Sequence, residues 1–272
     1  MKISIHQINK LRKLTGIGIM DCKKALTLTK GNIDEAIYFL RKKGKEISIT
    51  RSSFQMKDGA VISSVNADYT SGTIIGISCE TDFLSKSHEF LNFLLELSKK
   101  SLNSFSKEGF LESFFSKKEL VKDAIFRKMA IVKEKLELKI FERVDSPFVI
   151  DYTHNNHKIS TLIGFSSKIN KSPARNIAMH VTAMNPLSID EDDIPNTIVE
   201  KEINFIKDQI KKEKIRSEDI KQKIVEGKIQ KFIFNNTLLN QKFIRNNKIN
   251  VKEYLNQFDN KIKINFFKRV KI

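Results

Sequence analysis

The sequence predicts an α+β fold with small antiparallel sheets. Apolar residues recur at helical spacing through residues 1–44, alternate as in strands from about residue 58, and return to helical spacing at 193–232. A hairpin pattern followed by helices and a further strand occurs twice in succession. The 272 residues, 40% of them apolar and 30% charged, suffice for one large domain or two to three small ones with real cores.

The N-terminal segment predicts three short helices. The first opens with a capping box at Ser4 and breaks at the "TGIG" of 15–18. A second covers about 20–29. The third opens with a capping box at Asn32 and ends at the "RKKG" of 41–44, because cations and a following glycine are typical of helix C-termini. Three such helices can enclose one small core.

A first α+β unit follows. The runs "AVISSVNADY" (60–69) and "TIIGISCE" (73–80) alternate with period two and predict a hairpin. Helices are expected at about 85–103 and 117–135. The segment "LELKIFERV" (136–144) then predicts a third strand.

A second unit repeats this plan. The runs "PFVIDYT" (147–153) and "ISTLIGFS" (159–166) predict another hairpin. The helix after it is expected to have Ser172 as its N-cap, with a proline at its first position, and to end at Asn185 before another proline. Its third strand is supplied only near the end, by "KIKINFFKRV" (261–270).

An insertion interrupts this second unit. Val199, Ile203, Ile206 and Ile210 are spaced by four, three and four residues, and a similar stripe resumes after the charged break "KKEKIRSED" (211–219). The pattern predicts an antiparallel helical hairpin with a narrow apolar seam of the coiled-coil kind.

The charge balance leaves two interpretations open. The formal net charge of +17 invites a nucleic-acid partner. However, only nine of the 49 basic residues are arginine, while lysine is spread along the chain and tryptophan is absent, as A/T-rich codons would produce. We favour genome bias and solvated faces, and expect no dedicated nucleic-acid surface.

The expected location is the cytoplasm. The N-terminus lacks the apolar run and cleavage site of a signal peptide, and the longest dense apolar stretch, "FLNFLLEL" (90–97), is far too short to span a bilayer. We therefore expect no membrane association.

The sequence offers no constellation for covalent catalysis. It contains no phosphate-binding loop, no HExxH and no paired CxxC. His154 and His157 are interpreted as residues of a solvated turn, and His180 as a core histidine. Cys22 and Cys79 are interpreted as small core residues. We expect neither an enzyme nor a metal or other cofactor.

Five segments resemble the translation elongation factor Ts family of bacteria, in the family's order. They are "LRKLTGIGIMDCKKALTLTKGNIDEAIYFLRKKG" (11–44), "CETDFLSK" (79–86), "YTH" (152–154), "NIAMHVTAMNP" (176–186) and "KIVEGKIQKF" (223–232). The first two are highly specific, and together the segments span nearly the whole chain.

The resemblance implies a guanine-nucleotide exchange factor. Such a protein binds elongation factor Tu, in its GDP-bound and nucleotide-free states, and promotes GDP release so that GTP can bind. The implied architecture is an N-terminal three-helix ubiquitin-associated-like module before two related α+β subdomains, the second interrupted by the helical hairpin. The expected divisions are 1–50 for the module, 51–57 for a linker, 58–144 for the first subdomain, 145–192 with 233–272 for the second, and 193–232 for the hairpin. A 1:1 complex and a 2:2 assembly through the hairpin both stay open.

The resemblance also implies site residues. A Thr-Asp-Phe corner would approach the magnesium and phosphate site of elongation factor Tu. Carried over by motif, the corner is Thr81, Asp82, Phe83 and Leu84, and the further contacts are His154, Met20, Asp21 and Lys23.

Five of these residues have an ordinary structural alternative. Phe83 fits the core of any such domain, and Asp82 fits an N-cap of the following helix. His154 fits a plain turn, Met20 fits the core, and Lys23 fits a solvated face.

Two departures from the family pattern bear on the interface. Lys133 stands where many members have a glycine, which puts a contact by bare backbone in doubt. The chain also ends at "FFKRVKI", so the helix that some relatives add after the last strand is expected to be absent. The alternative function is a basic RNA-binding protein without catalytic activity, which steep weakening of binding by salt would favour.

Overall fold

The structure, a computed structural model, describes residues 3–211 and 218–272. Its helices and small antiparallel sheets confirm the α+β class. The helices are α1 (Ile5–Thr15), α2 (Ile19–Leu28), α3 (Ile33–Thr50), α4 (Asp82–Ser85), α5 (His88–Ser101), α6 (Lys107–Glu112), α7 (Val121–Val132), α8 (Lys171–Met184), α9 (Asn196–Lys211), α10 (Glu218–Asn236) and α11 (Val251–Asn256). The strands are β1 (Asp58–Val65), β2 (Ser71–Cys79), β3 (Phe114–Ser116), β4 (Glu119–Leu120), β5 (Glu137–Asp145), β6 (Phe148–Thr153), β7 (Ile159–Phe165), β8 (Lys242–Phe243), β9 (Asn246–Asn250) and β10 (Ile264–Lys271).

Two three-stranded antiparallel sheets share one topology. The first has the order β1-β2-β5 and the second the order β10-β7-β6. In each sheet, the first two strands in sequence form a hairpin. The third strand comes after the intervening helices and pairs with the hairpin's second strand. The repeated plan expected from the alternating patterns is confirmed.

The two sheets pack face to face, and helices cover their outer faces. Between the sheets lie Val61 and Ile74 from the first and Val149 and Leu162 from the second. Helices α5 and α7 close the core on the outer face of the first sheet, and α8 closes the core of the second. Strand β2 is buried along its entire length, which explains its nearly continuous apolar run.

Helix α3 is longer than its sequence pattern predicts. Gly44, expected to end the helix, lies within it, and α3 continues to Thr50. A Cβ on Gly44 would lie 1.9 Å from the carbonyl oxygen of Phe126 in α7. The glycine therefore allows α3 to approach α7 closely, and the prediction that it ends the helix is wrong.

The capping predictions have mixed outcomes. The capping box of Ser4 with Gln7 is present. Asn32 caps α3, but its predicted capping box is incomplete, because Glu35 accepts the side-chain amide of Asn32 and not its backbone N–H. The prediction that Ser172 caps α8 is wrong, because the Ala174 N–H already bonds to the carbonyl oxygen of Asn170 and so places Ser172 inside the first turn. Asn185 ends α8 in the left-handed conformation, as expected.

The inserted helices α9 and α10 pack against each other. Ile210, near the end of α9, and Gln222, near the start of α10, line one groove, so the two helices run antiparallel. Ile206 and Ile210 of the predicted stripe are buried. The predicted charged break includes residues 212–217, which lie outside the described residues.

Within the part of the chain that the structure describes, no helix combines the length and the apolar character needed to cross a membrane.

Candidate functional site

A sharp corner connects strand β2 to the single-turn helix α4. The strand ends at Cys79, and Thr81 stays extended (φ −120°, ψ 149°) as the N-cap of α4. The Thr81 hydroxyl accepts the Leu84 N–H at 3.3 Å. The threonine cap thus starts the short helix directly after the strand and places Asp82 and Phe83 at the end of the sheet.

The corner separates two adjacent apolar side chains. Phe83 is 85% exposed, whereas Leu84 is 8% exposed and belongs to the core of the first sheet. The interpretation of Phe83 as an ordinary core residue is therefore wrong. Leu84, predicted as part of the contact region, fixes the turn from inside and leaves the aromatic ring in solvent.

Glu134 binds the backbone of this corner with both of its carboxylate oxygens. Its Oε2 accepts the N–H groups of Glu80 and Thr81, each at 3.1 Å, and its Oε1 accepts the Thr81 hydroxyl at 2.6 Å. Hydrogen bonds to an ionised acceptor are among the stronger ones in proteins. The corner is therefore held from outside its own segment.

Lys133, just before this clamp, has the left-handed backbone that favours glycine. Its φ is 61°, and it ends α7 by donating its N–H to the Met129 carbonyl. Lys133 therefore has a backbone conformation that glycine adopts without steric cost.

Asp82 lies at the surface and is paired. Its carboxylate accepts Lys86 Nζ at 2.8 Å, one helical turn on, and that hydrogen bond holds the pKa of Asp82 below its ordinary value. Because Thr81 provides the N-cap, the alternative in which Asp82 caps the helix is wrong. Its carboxylate is exposed beside Phe83, and its negative charge is balanced by Lys86.

A second charged residue, Glu80, links the corner to the segment that follows α3. Glu80 accepts the N–H of Lys135 at 2.7 Å with one oxygen and the Arg51 guanidinium at 2.5 Å with the other. Arg51 directly follows α3. The end of α3 is thereby connected to the base of the corner.

Lys158 reaches the corner from the second sheet. Its ammonium group donates to the Asp58 carboxylate, to the carbonyl oxygen of Gly59 at 2.5 Å and to the Ser85 hydroxyl at 3.2 Å. Partial burial alone would raise the pKa of Asp58, but hydrogen bonds from Lys158 and the Gly59 N–H lower it below its ordinary value.

His154 lies exposed in the turn between β6 and β7, four residues before Lys158. Its N–H donates to the Ile159 carbonyl at 2.9 Å, and its Nδ1 lies 3.4 Å from the Tyr152 hydroxyl. The ring borders a groove of about 360 Å³ that Met179 and Arg269 also line. The imidazole is thus available on the surface beside an apolar groove.

The N-terminal candidates lie at the start of α2. Met20 is 72% exposed, so its interpretation as a core residue is wrong. Asp21 accepts Lys43 Nζ at 2.6 Å, and this hydrogen bond holds the pKa of Asp21 below its ordinary value. Lys23 is exposed, which fits a contact and a solvated face equally well.

The remaining histidine and cysteine predictions concern the core. His180 is fully buried, where Nδ1 accepts the Ile244 N–H at 3.1 Å and Nε2 donates to Gln241 at 3.0 Å. Burial lowers its pKa. It is a satisfied core histidine, as predicted.

Both cysteines are buried and unpaired. Burial raises the pKa of Cys79 to about 12 and also raises the pKa of Cys22. Their thiols are therefore protonated at neutral pH and poor nucleophiles. Within residues 3–211 and 218–272, no group of three or more His, Cys, Asp or Glu side chains is placed to hold a metal ion.

Three residues at the corner were not identified as site residues from sequence: Glu80, Glu134 and Lys158. Glu80 lies inside the quoted "CETDFLSK" segment, and Glu134 follows the noted departure at Lys133. Lys158 gave no local signal, because a lysine in a turn is typical of a solvated loop and its partners are distant in sequence.

Comparison with known proteins gives consistent matches. The family model described as elongation factor TS matches residues 80–272. A protein named Elongation factor Ts from Christiangramia forsetii is 38% identical over 271 residues, covering 99% of this chain and 98% of its own length. A protein of the same name from Flavobacterium psychrophilum is 38% identical over 269 residues, covering 98% and 97%. Another, from Azobacteroides pseudotrichonymphae, is 32% identical over 274 residues, covering 100% and 99%.

Proposed function

The chain belongs to the elongation factor Ts family, and from that premise we propose that it binds elongation factor Tu and accelerates GDP release with the exposed ring of Phe83. The family is one of translation elongation factors that promote nucleotide exchange without covalent chemistry. The observation that carries the proposal is the 85% exposure of Phe83 on a corner whose backbone is held by Glu134.

The proposed mechanism is a competition between two ligands of one partner. If GDP and this protein favour different conformations of elongation factor Tu, each weakens the binding of the other by the same factor. A ring inserted near the magnesium and phosphate site would favour the conformation that holds GDP poorly. Because its turn is already fixed, little conformational entropy is lost on insertion.

Phe83 does not suffice by itself. Burying one such side chain contributes roughly 1.5–3 kcal/mol, whereas a 10⁴-fold acceleration needs about 5.5 kcal/mol. The proposal therefore includes a broad interface with additional contacts. Its members are Thr81 and Asp82 beside the ring, Leu84 as its internal support, His154 on the second sheet, and Met20, Asp21 and Lys23 on the first module.

The assembly and the domain division belong to the same proposal. The hairpin at 193–232 would project from the second subdomain, with Phe205 and Ile220 exposed on its helices. Whether it joins two copies into a 2:2 complex stays a prediction, as do the division points at 50, 57 and 144.

A release assay tests the proposal. Elongation factor Tu from the same organism is loaded with fluorescent GDP, and release is followed in excess unlabelled nucleotide. We expect strong acceleration by the wild type. For Phe83→Ala we expect a loss of roughly 10- to 150-fold, which is the burial energy of one such side chain expressed as a rate.

Phe105→Ala is the matched control. Phe105 is 82% exposed and stacks 4.4 Å from the Arg143 guanidinium, at the end of the first sheet opposite the corner. We expect the Phe105→Ala variant to accelerate GDP release as strongly as the wild type does. Equal rates for Phe83→Ala and Phe105→Ala, with both folded by circular dichroism, would reject the role of Phe83. No acceleration by the wild type would reject the function.

A further inference from the structure

Two of the proposed contact points belong to different halves of the molecule. Phe83 follows a strand of the first sheet, and His154 lies in a turn of the second. Lys158 is placed between them. We propose that Lys158 is a positioning residue that fixes the Phe83 corner relative to the His154 turn, an inference that rests on the proposed function.

The ammonium group of Lys158 joins three acceptors that all belong to the first half. Asp58 and Gly59 begin β1, and Ser85 ends α4. Lysine suits this position because one Nζ carries three donors. Its side chain is 23% exposed and that of Asp58 is 21% exposed, so water has limited access to the pair.

A short relay connects Lys158 to the backbone beside Phe83. The Ser85 hydroxyl accepts from Lys158 and donates to the carbonyl oxygen of Asp82 at 3.0 Å. Helix α4 is a single turn of four residues, and so short a helix has little stability of its own. Its orientation therefore depends on such external bonds.

The turn that carries Lys158 is itself fixed. The carbonyl of His157 accepts the Val61 N–H of β1 at 2.8 Å, and the carbonyl of Lys158 accepts the Ile272 N–H at 3.0 Å. Thr153, next to His154, accepts the Ser63 N–H at 3.1 Å. A rigid turn transmits its position through Lys158 to α4, so both contact points approach a partner in one fixed arrangement.

The competing explanation is that Lys158 only holds the two halves together. The two roles predict different combinations with Phe83→Ala. If Lys158 acts through the ring, its loss costs nothing further once the ring is absent. If it acts only on folding, its effect multiplies with that of Phe83→Ala, as for independent sites.

The experiment is a double-mutant cycle in the GDP-release assay with the full-length protein. The variants are Lys158→Met, Phe83→Ala and their combination, each titrated to saturation against elongation factor Tu. We expect Lys158→Met to lower the maximal release rate roughly tenfold while the half-saturating concentration changes less than about threefold, because it removes an arrangement needed in the transition state. With the double variant, GDP should leave elongation factor Tu at the same maximal rate as with Phe83→Ala alone.

Lys122→Met is the matched control, since Lys122 pairs with Glu112 at 2.7 Å within the first half and away from α4. It should behave as the wild type. Ser85→Ala, which interrupts the relay and keeps the Lys158–Asp58 pair, serves if Lys158→Met does not fold, and should lower the same maximal rate.

Two results would overturn the inference. One is a wild-type maximal rate of GDP release with folded Lys158→Met or Ser85→Ala. The other is a double variant whose loss of rate equals the product of the losses in Lys158→Met and Phe83→Ala. In both cases wild-type acceleration and loss in Phe83→Ala would leave the proposed function standing. If the wild type fails to accelerate release, the proposed function fails first.

Discussion

At the scale of single residues, the corner shows how neighbours in sequence receive opposite environments. Leu84 enters the core while Phe83 stays in solvent, since one helical turn directs them to different sides. Exposing a phenylalanine has no benefit for folding, because its transfer out of water is favourable. The exposed ring of Phe83 on a firmly held backbone is therefore free to make the contact proposed above.

Glu134 supplies the residue-scale prediction. Removing its side chain in Glu134→Ala deprives the Glu80 and Thr81 N–H groups of a charged acceptor, a change worth about 1.5–3 kcal/mol per bond. We expect GDP release to fall about tenfold or more as the corner loosens. Glu134→Gln should recover most of the rate, because its amide oxygen still accepts both N–H groups. The measurement is the release rate, with urea unfolding as the check on stability.

Glu137→Ala is the control for this prediction. Glu137 is exposed on β5, three residues from Glu134. If GDP release is equally fast with Glu134→Ala and with Glu137→Ala, the hydrogen bonds of Glu134 to the corner have no part in exchange.

Sequence alone could identify only some of these residues. Phe83 was found because a specific motif resembles a family, whereas composition and periodicity favoured a core position for it. Glu134 and Lys158 act on residues more than 50 and 70 positions away. No local pattern encodes such contacts, so a single sequence could not indicate them.

At the scale of elements, helix existence was easier to predict than helix ends. The ends of α1 and α8 followed from glycine and asparagine in left-handed conformations. The end of α3 did not, because Gly44 serves the contact between two helices and not the geometry of one. A glycine preceded by lysines has the same appearance in both cases.

Gly44 gives the element-scale prediction. In Gly44→Ala, the new methyl group would meet the backbone of Phe126, which cannot rotate away as a side chain could. We expect a loss of about 1–3 kcal/mol in the free energy of unfolding, the usual cost of overpacking. The N-terminal module should also become more sensitive to protease. Urea unfolding and limited proteolysis measure the two effects.

Gly227→Ala is the matched control, since Gly227 lies within α10 and a Cβ there would meet nothing within 4 Å. Because alanine favours helices more than glycine does, it should stabilise the protein by about 0.5–1 kcal/mol. Stabilisation by Gly44→Ala as well would contradict the close approach of α3 and α7.

At the scale of the whole molecule, two repeated units became one layered structure. Their strands and order followed from alternating patterns, because each hairpin can be recognised locally. The packing of the two sheets against each other could not be predicted in this way, because residues such as Val61 and Leu162 pack in the same cluster across about 100 positions of sequence. The Lys158 cluster depends on that same packing.

The histidines give a prediction for the stability of the whole fold. Burial lowers the pKa of His180, and also that of the half-buried His157, below the ordinary value of 6.5. As pH falls below about 6.5, the unfolded chain binds protons that the folded protein refuses, so stability present above that pH is progressively lost. Each histidine contributes at most roughly 1.4 kcal/mol per pH unit. Urea unfolding between about pH 7.5 and pH 5.5 measures the slope.

In His180→Asn the amide oxygen can still accept the Ile244 N–H, so we expect lower stability at neutral pH but a shallower slope. An unchanged slope in His180→Asn would show that the buried imidazole does not govern the acid sensitivity.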